Sequence, residues 1–298
     1  MNKKIYVFSL LSLFVSNQIF AQDTAALREQ IEHIISGKKA TVGVSVLGIE
    51  SGDTLAINGT RNFPMMSVFK FHIALTVLSK VDKRELSLNQ KVFISRKELL
   101  DTWSPIKDKY PDGDVTLTLN EILRYTVSHS DNNGCDILLR LIGGTQFVQE
   151  FINELGIKDF IIKYNEVQMA QADNARANTT TPQATVKLLN LFYNKKILSK
   201  KSTQYLYGLM EENSRGATLI KGKLPAGTVV AHRTGMSGTD ENGLQIALNN
   251  IGIIALPNGK HVAIAIYVND ITERKEVAEA IIADIAKVAW DYFIAKSK

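Results

Sequence analysis

The sequence predicts an α/β fold of the α+β kind: an antiparallel sheet built from both chain ends, packed with the terminal helices, and an all-helical segment between them. Three observations predict it. Apolar runs bounded by turn residues stand near both ends, at 41–58 and again between 228 and 269. The middle, from Ser67 to about Met210, follows a helical period instead. The last residues place Val277, Ile281, Ile285, Val288 and Tyr292 on one face of a closing helix.

Each element has its own signal. Lys3 and Lys4 precede an apolar run from Ile5 to Val15, a polar break and Ala21, which reads as a secretory signal over 1–21. That run is too short to span a bilayer, so the mature chain is expected to be exported, periplasmic and free of a membrane anchor. Thr24 to Ser36 reads as an amphipathic helix. Thr41–Ile49 and Asp53–Asn58 read as a hairpin turning at Glu50-Ser51-Gly52. A helix opens at Ser67, and Thr118 with Glu121 forms a capping box for another that runs to about Ser128. The next starts near Asn132 and stops at Gly143-Gly144. Thr181-Pro182 marks a further helix start. Between Gly156 and Thr181 little period is visible, and a loop that long is usually functional. Strands return at 228–234, 244–256 and 261–269, with Pro257-Asn258-Gly259 as the last turn. The expected division is an α/β domain from 22–60 and 215–298, and an all-helical domain over 61–214 that carries an Ω-type loop at about 157–181.

The 298 residues are 45% hydrophobic and 22% charged, ordinary for a folded protein with a sizeable core. The net charge of +5 falls to +3 when Lys3 and Lys4 leave with the signal. Basic residues are scattered, so no nucleic-acid surface is expected. Histidines 33, 72, 129, 232 and 261 show no metal-ligand spacing, and no metal or cofactor is expected. His129 and His232 each adjoin a motif and read as supporting groups. Cys135 stands alone, so no internal disulfide forms, and it reads as a small buried hydrophobe.

Three stretches carry chemistry: Ser67-Val68-Phe69-Lys70, Ser130-Asp131-Asn132 and Arg233-Thr234-Gly235. Ser-x-x-Lys occurs three times, at Ser36/Lys39, Ser67/Lys70 and Ser104/Lys107. Context selects Ser67. It follows Phe63-Pro64 and opens the run Val68–Leu78, apolar on nearly every face and so a buried helix. A serine there sits among free N–H groups, with Lys70 one turn on along the same face. Ser36 and Ser104 read as surface turns. A serine, a lysine, a second hydroxyl with an amide, and a cation beside a hydroxyl suit serine acyl transfer on a substrate bearing a carboxylate. Taken singly, each stretch also reads as capping, a strand end or a solvated acid.

Together, Ser67-x-x-Lys70, Ser130-Asp131-Asn132, Glu166 in the long loop and Arg233-Thr234-Gly235 resemble the motif set of the class A serine β-lactamases. Trp103–Lys107 and Ser130–Gly144 resemble in particular the cephalosporin-hydrolysing branch found in Bacteroidetes. The resemblance implies a β-lactamase/D,D-peptidase-like fold, a monomer, small-molecule β-lactam substrates and a role in antibiotic resistance. It implies Ser67 as nucleophile, Lys70 and a Glu166-bound water as candidate bases, and Ser130 as proton donor to the leaving nitrogen. The backbone N–H groups of Ser67 and Met236 would form the oxyanion hole. Asn132 would hold the carbonyl of the acylamino side chain, Arg233 and Thr234 would bind the substrate carboxylate, and Gly235, Met236 and Trp103 would be further substrate-binding residues. Five positions depart from that pattern: Arg233 stands where the motif has lysine, Val167 replaces proline, Ala170 replaces asparagine, and Tyr164 and Thr179 replace an Arg–Asp pair. The loop is therefore expected to be held differently, with cephalosporins preferred over penicillins. A penicillin-binding D,D-peptidase and a non-hydrolysing β-lactam receptor domain are the competing readings.

Overall fold

The β10 strand His261–Ile271 shows how the core is organised. Val262, Ile264, Ile266 and Val268 are buried on one face, and Ala263, Ala265 and Tyr267 on the other. A strand apolar on both sides needs a cover on both sides, and each fully buried aliphatic side chain contributes about 1.5–3 kcal/mol. The computed structural model describes residues 24–171 and 174–296; the signal expected over 1–21 lies outside them.

The central sheet is antiparallel and five-stranded, in the order β2 (Thr54–Ile57), β1 (Thr41–Gly48), β10, β9 (Gln245–Ala255), β8 (Val230–Met236). The two chain ends meet in the β1–β10 pairing, where Val44 faces Ile266. Helices α1 (Ala25–Ile35) and α10 (Lys275–Ala295) cover one face through Leu27, Ile31, Ile281 and Ile285. The other face meets α8 (Pro182–Tyr193) and the core around α2 (Phe69–Asp82). That helix is buried from Phe69 to Ser79, which accounts for its weak amphipathicity. Around it stand α4 (Leu119–Ser128), α5 (Asn132–Ile142), α6 (Thr145–Glu154) and α9 (Lys200–Glu211).

The caps read from sequence are present. Thr118 and Glu121 form the capping box of α4. Gly143 ends α5 at φ 95°, a left-handed conformation that glycine enters without strain. Two expectations need correction. The middle is not purely helical: β4 (Lys91–Ile94) pairs with β5 (Val115–Thr118), and β3 (Phe63–Pro64), β7 (Thr179–Thr180) and β6 (Phe160–Ile161) form a small sheet. These strands are two to four residues long and give too little alternation to read. Ser104 is also no surface turn. It is 2% exposed, caps the short helix α3 (Pro105–Lys109), and donates to the Asp131 carboxylate at 2.9 Å.

Candidate active site

The approach to Ser67 is a single 3₁₀ turn, Met66–Val68, running into α2. Lys70 lies one turn on, as the spacing requires. Its side chain is fully buried and its Nζ is crowded with oxygens: Ser67 Oγ at 2.9 Å, Asn132 Oδ1 at 2.6 Å, Ser130 O at 3.1 Å and Glu166 Oε1 at 2.5 Å. One ammonium thus joins four residues from three separate stretches of sequence. An amine without water needs such partners, because burial of an unpaired charge is expensive.

Asp131 positions the second motif. Fully buried, it accepts from Ser104 Oγ, from Ile106 N at 2.7 Å and, as N-cap of α5, from Gly134 N at 2.8 Å. Desolvation pushes its carboxyl up, and these hydrogen bonds act against that shift. Ser130, just before it, is held at φ 63°, a conformation a serine keeps only when its neighbours enforce it. Asn132 Nδ2 donates to Thr102 Oγ1 at 2.8 Å, so its amide is oriented from both ends.

The third motif lies on edge strand β8. Gly235 is needed for close approach: a Cβ there would sit 2.4 Å from Met65 O. Thr234 is 5% exposed and Met236 42%. Arg233 departs from its expected placement. It is fully buried, its Nη2 donates to Ser130 Oγ at 2.7 Å, and its Nε and Nη1 have no hydrogen-bond partner. Desolvation pulls its pKa down to about 10, with the negative charge of Glu166 opposing the shift. The guanidinium therefore lies beneath the floor of the site rather than on it.

The accessible cation is one the sequence reading missed. Arg215 shares with Ser67, Ser130, Thr234 and Met236 a cavity of about 160 Å³. Its guanidinium stacks 4.2 Å from the ring centroid of Trp103, whose indole N–H donates to His129 O at 3.0 Å. No sequence motif surrounds Arg215. His129 Nδ1 lies 3.2 Å from Ser214 Oγ, and His232 is buried, with a pKa pulled to about 3 mainly by desolvation, so it is neutral.

The long loop contributes Glu166, first residue of the short helix α7 (Glu166–Met169). Two residues hold it where the Arg–Asp pair is missing. Asp136 of α5 accepts from Glu166 N at 2.8 Å and Val167 N at 3.2 Å. Asn178, fully buried, accepts from Lys163 N at 2.8 Å and Tyr164 N at 3.1 Å, and donates to Tyr164 O at 2.7 Å. An acid beside Cys135 on a buried helix face was the available signal for Asp136. Ala170 and Val167 line a second cavity of about 190 Å³, which also reaches Asn132, Asp136 and Leu100. A larger cavity of about 570 Å³ lies beside Tyr193 and Tyr207; none of the motif residues lines it.

A buried lysine shared by a serine, an amide and a carboxylate stands at the centre of the site. The Beta-lactamase enzyme family matches residues 26–293. The chain belongs to that family. Beta-lactamase VEB-1 of Pseudomonas aeruginosa is 47% identical over 96% of this chain and 97% of its own length. Extended-spectrum beta-lactamase PER-1 of the same organism is 42% identical over 96% and 93%. Among solved structures, the TLA-1 extended-spectrum beta-lactamase superposes with a TM-score of 0.89 at 52% identity, covering 91% of this chain and 99% of that one. A class A beta-lactamase from Bacteroides cellulosilyticus gives 0.88 at 38% identity, covering 92% and 99%. This β-lactamase is therefore a class A serine hydrolase, and the D,D-peptidase and receptor readings are left without support. Among the described residues no helix is long and apolar enough to cross a membrane.

Proposed function

We propose that this β-lactamase opens the ring through a Ser67 acyl-enzyme and prefers cephalosporins. The observation that carries the mechanism is the position of Lys70 Nζ, within 2.9 Å of Ser67 Oγ and 2.5 Å of Glu166 Oε1. Transfer of the Lys70 proton to the Glu166 carboxylate frees a lone pair facing Ser67 Oγ, which is otherwise a weak nucleophile. Ser67 Oγ then bonds the lactam carbonyl carbon as its own proton passes to Lys70. The backbone N–H groups of Ser67 and Met236 stabilise the oxyanion. The C–N bond breaks, and the ring nitrogen takes the proton of Ser130, which Lys70 replaces. For deacylation, Glu166 first returns its proton to Lys70. The ionised carboxylate then takes a proton from water as the water oxygen bonds the ester carbon, and when the C–O bond breaks Ser67 Oγ takes a proton from Lys70, which is restored from Glu166.

Asn132 holds the substrate's acylamino carbonyl, and Trp103 and Gly235 shape the walls. Thr234 and Arg215 take the carboxylate. Arg233 keeps a positive charge beneath Ser130 rather than binding the carboxylate directly, because the substrate cannot reach it. The cavity beside Ala170 and Val167 gives a bulky acylamino group room, which supports the cephalosporin preference, as do relatives whose names carry the words extended-spectrum. The motifs line the seam between the domains proposed at 22–60 with 215–298 and at 61–214. Export by the 1–21 signal to the periplasm, and action as a monomer, complete the proposal.

The test is hydrolysis of a chromogenic cephalosporin with mass spectrometry of the protein. Wild type is expected to turn over and to carry a transient adduct on Ser67, and Ser67→Ala to do neither. An adduct on Ser36 or Ser104, or one surviving in the variant, overturns the assignment. Comparison of kcat/KM for one penicillin and one bulky cephalosporin decides the preference, and a clear penicillin preference defeats it.

A further inference from the structure

Two peptide planes precede the nucleophile, and both are tied from outside their own segment. Met66, immediately before Ser67, has φ 47°, a left-handed conformation unusual for a long side chain. That torsion is set by the orientation of the Met65–Met66 peptide plane. Asn249 of β9, fully buried, donates its Nδ2 hydrogens to Pro64 O at 2.8 Å and Met65 O at 3.2 Å. Met65 O accepts from Val68 N as well, at 3.2 Å, and Met65 N donates to Asn178 O at 2.9 Å. Asn249 Oδ1 in turn meets Asn269 Nδ2 of β10 at 3.4 Å.

The amide does not serve its own strand. β9 satisfies its backbone in the ladder, where Asn249 faces Gly235 on β8 and Tyr267 on β10. Its side chain reaches out of the sheet to two consecutive carbonyls of a non-strand segment. Both acceptors are carbonyls, which fixes the amide's orientation. Gly235 beside it removes the Cβ that would push Met65 O away. We propose that Asn249 is a positioning residue for acylation: its carboxamide holds the Met65–Met66 peptide plane so that Met66 stays left-handed and Ser67 presents both Oγ and N–H to the substrate carbonyl. The inference rests on Ser67 being the nucleophile.

The experiment is a double-mutant cycle of Asn249→Ala and Met66→Gly, read as the pre-steady-state acylation rate with a chromogenic cephalosporin, per active site titrated. Asn249→Ala is expected to slow acylation about 100-fold with the substrate's dissociation constant little changed, the scale of loss from a small misplacement of a reacting atom. Glycine enters the left-handed region without strain, so in the Met66→Gly background the same substitution is expected to lose about tenfold or less. Equal losses in both backgrounds, or an unchanged rate in Asn249→Ala, overturn the proposal. If Asn249→Ala does not fold, Asn249→Ser, which keeps one donor, is measured in both backgrounds: a loss that shrinks with Met66→Gly supports the proposal, and no loss or an equal loss overturns it. Wild type lacking a Ser67 adduct would instead sink the nucleophile reading, before any variant is compared.

Discussion

Replacing Asp136 with alanine removes the one carboxylate that joins α5 to the loop carrying Glu166. Two N–H groups lose their acceptor, that of Glu166 at 2.8 Å and that of Val167 at 3.2 Å. The first is a short bond to a charged acceptor in a part-buried place, worth about 1.5–3 kcal/mol, and the second is worth about 0.5–1 kcal/mol because water can take over at an exposed residue. Val167 is 44% exposed, which puts it in that second class. The sum is about 2–4 kcal/mol of local hold on α7. An opposing effect limits the loss for the whole protein. Burial pushes Asp136 up to about 6, so the ionised carboxylate itself destabilises the fold at neutral pH, and alanine relieves this. The expected result is selective: deacylation slows by about tenfold or more as Glu166 wanders, acylation slows less, and Tm changes little. Stopped-flow deacylation with mass spectrometry measures the rate, and hydrogen exchange reports the N–H groups of Glu166 and Val167. Normal deacylation with undiminished protection would refute the reasoning.

Glu166→Ala is expected to leave acylation measurable and to trap the acyl-enzyme, with deacylation down about 100-fold or more on the usual scale of general-base loss; normal turnover would place the base elsewhere. Arg215→Ala is expected to raise KM for substrates carrying the carboxylate, whereas Arg233→Ala is expected to lower kcat through Ser130 and to cost about 2–4 kcal/mol of transition-state binding, since it leaves a buried polar site unpaired. Arg233→Lys should retain more activity than Arg233→Ala, and equal losses would show the charge is unused. The Asp136 carboxyl predicts opposite pH trends for activity and stability. Its folded pKa of about 6 lies above the ordinary 3.8, so folding favours the protonated form and its contribution to stability, fully present below about 3.8, is lost as pH rises through about 6. Only the ionised form accepts two N–H bonds well, so deacylation should fall as pH drops through about 6. Asp136→Asn should flatten both trends, and unchanged profiles would show that another group titrates.

Much of this protein was legible as one-dimensional pattern. The final helix, the 245–255 and 261–271 strands with their turn, the Thr118–Glu121 box and the Gly143 stop are short-range signals, because periodicity, capping and turn chemistry act over a few residues. The Ser67–Lys70 contact was legible for the same reason, since one helical turn fixes it. The choice among the three Ser-x-x-Lys pairs rested on local burial pattern, which read Ser104 as a surface turn; its hydroxyl instead donates to Asp131, 27 residues away, a partner that no local pattern reveals. The short strands at 91–94 and 115–118 were invisible, because strands that short form only when a partner is supplied by the fold.

The chemistry of the site shows the same boundary. The sequence by itself determined which residue types are present, in what order, and that the loop around Glu166 lacks its ion pair. Only the tertiary structure decided that Asp136 and Asn178 replace that pair, that Arg233 lies under the floor while Arg215 faces the cavity, and that Asn249 grips the chain ahead of Ser67. These are hydrogen bonds and burials between residues up to 185 positions apart. No local rule carries them, because a side chain's partner and its access to water are properties of what packs against it, and packing is settled only when the whole chain has closed.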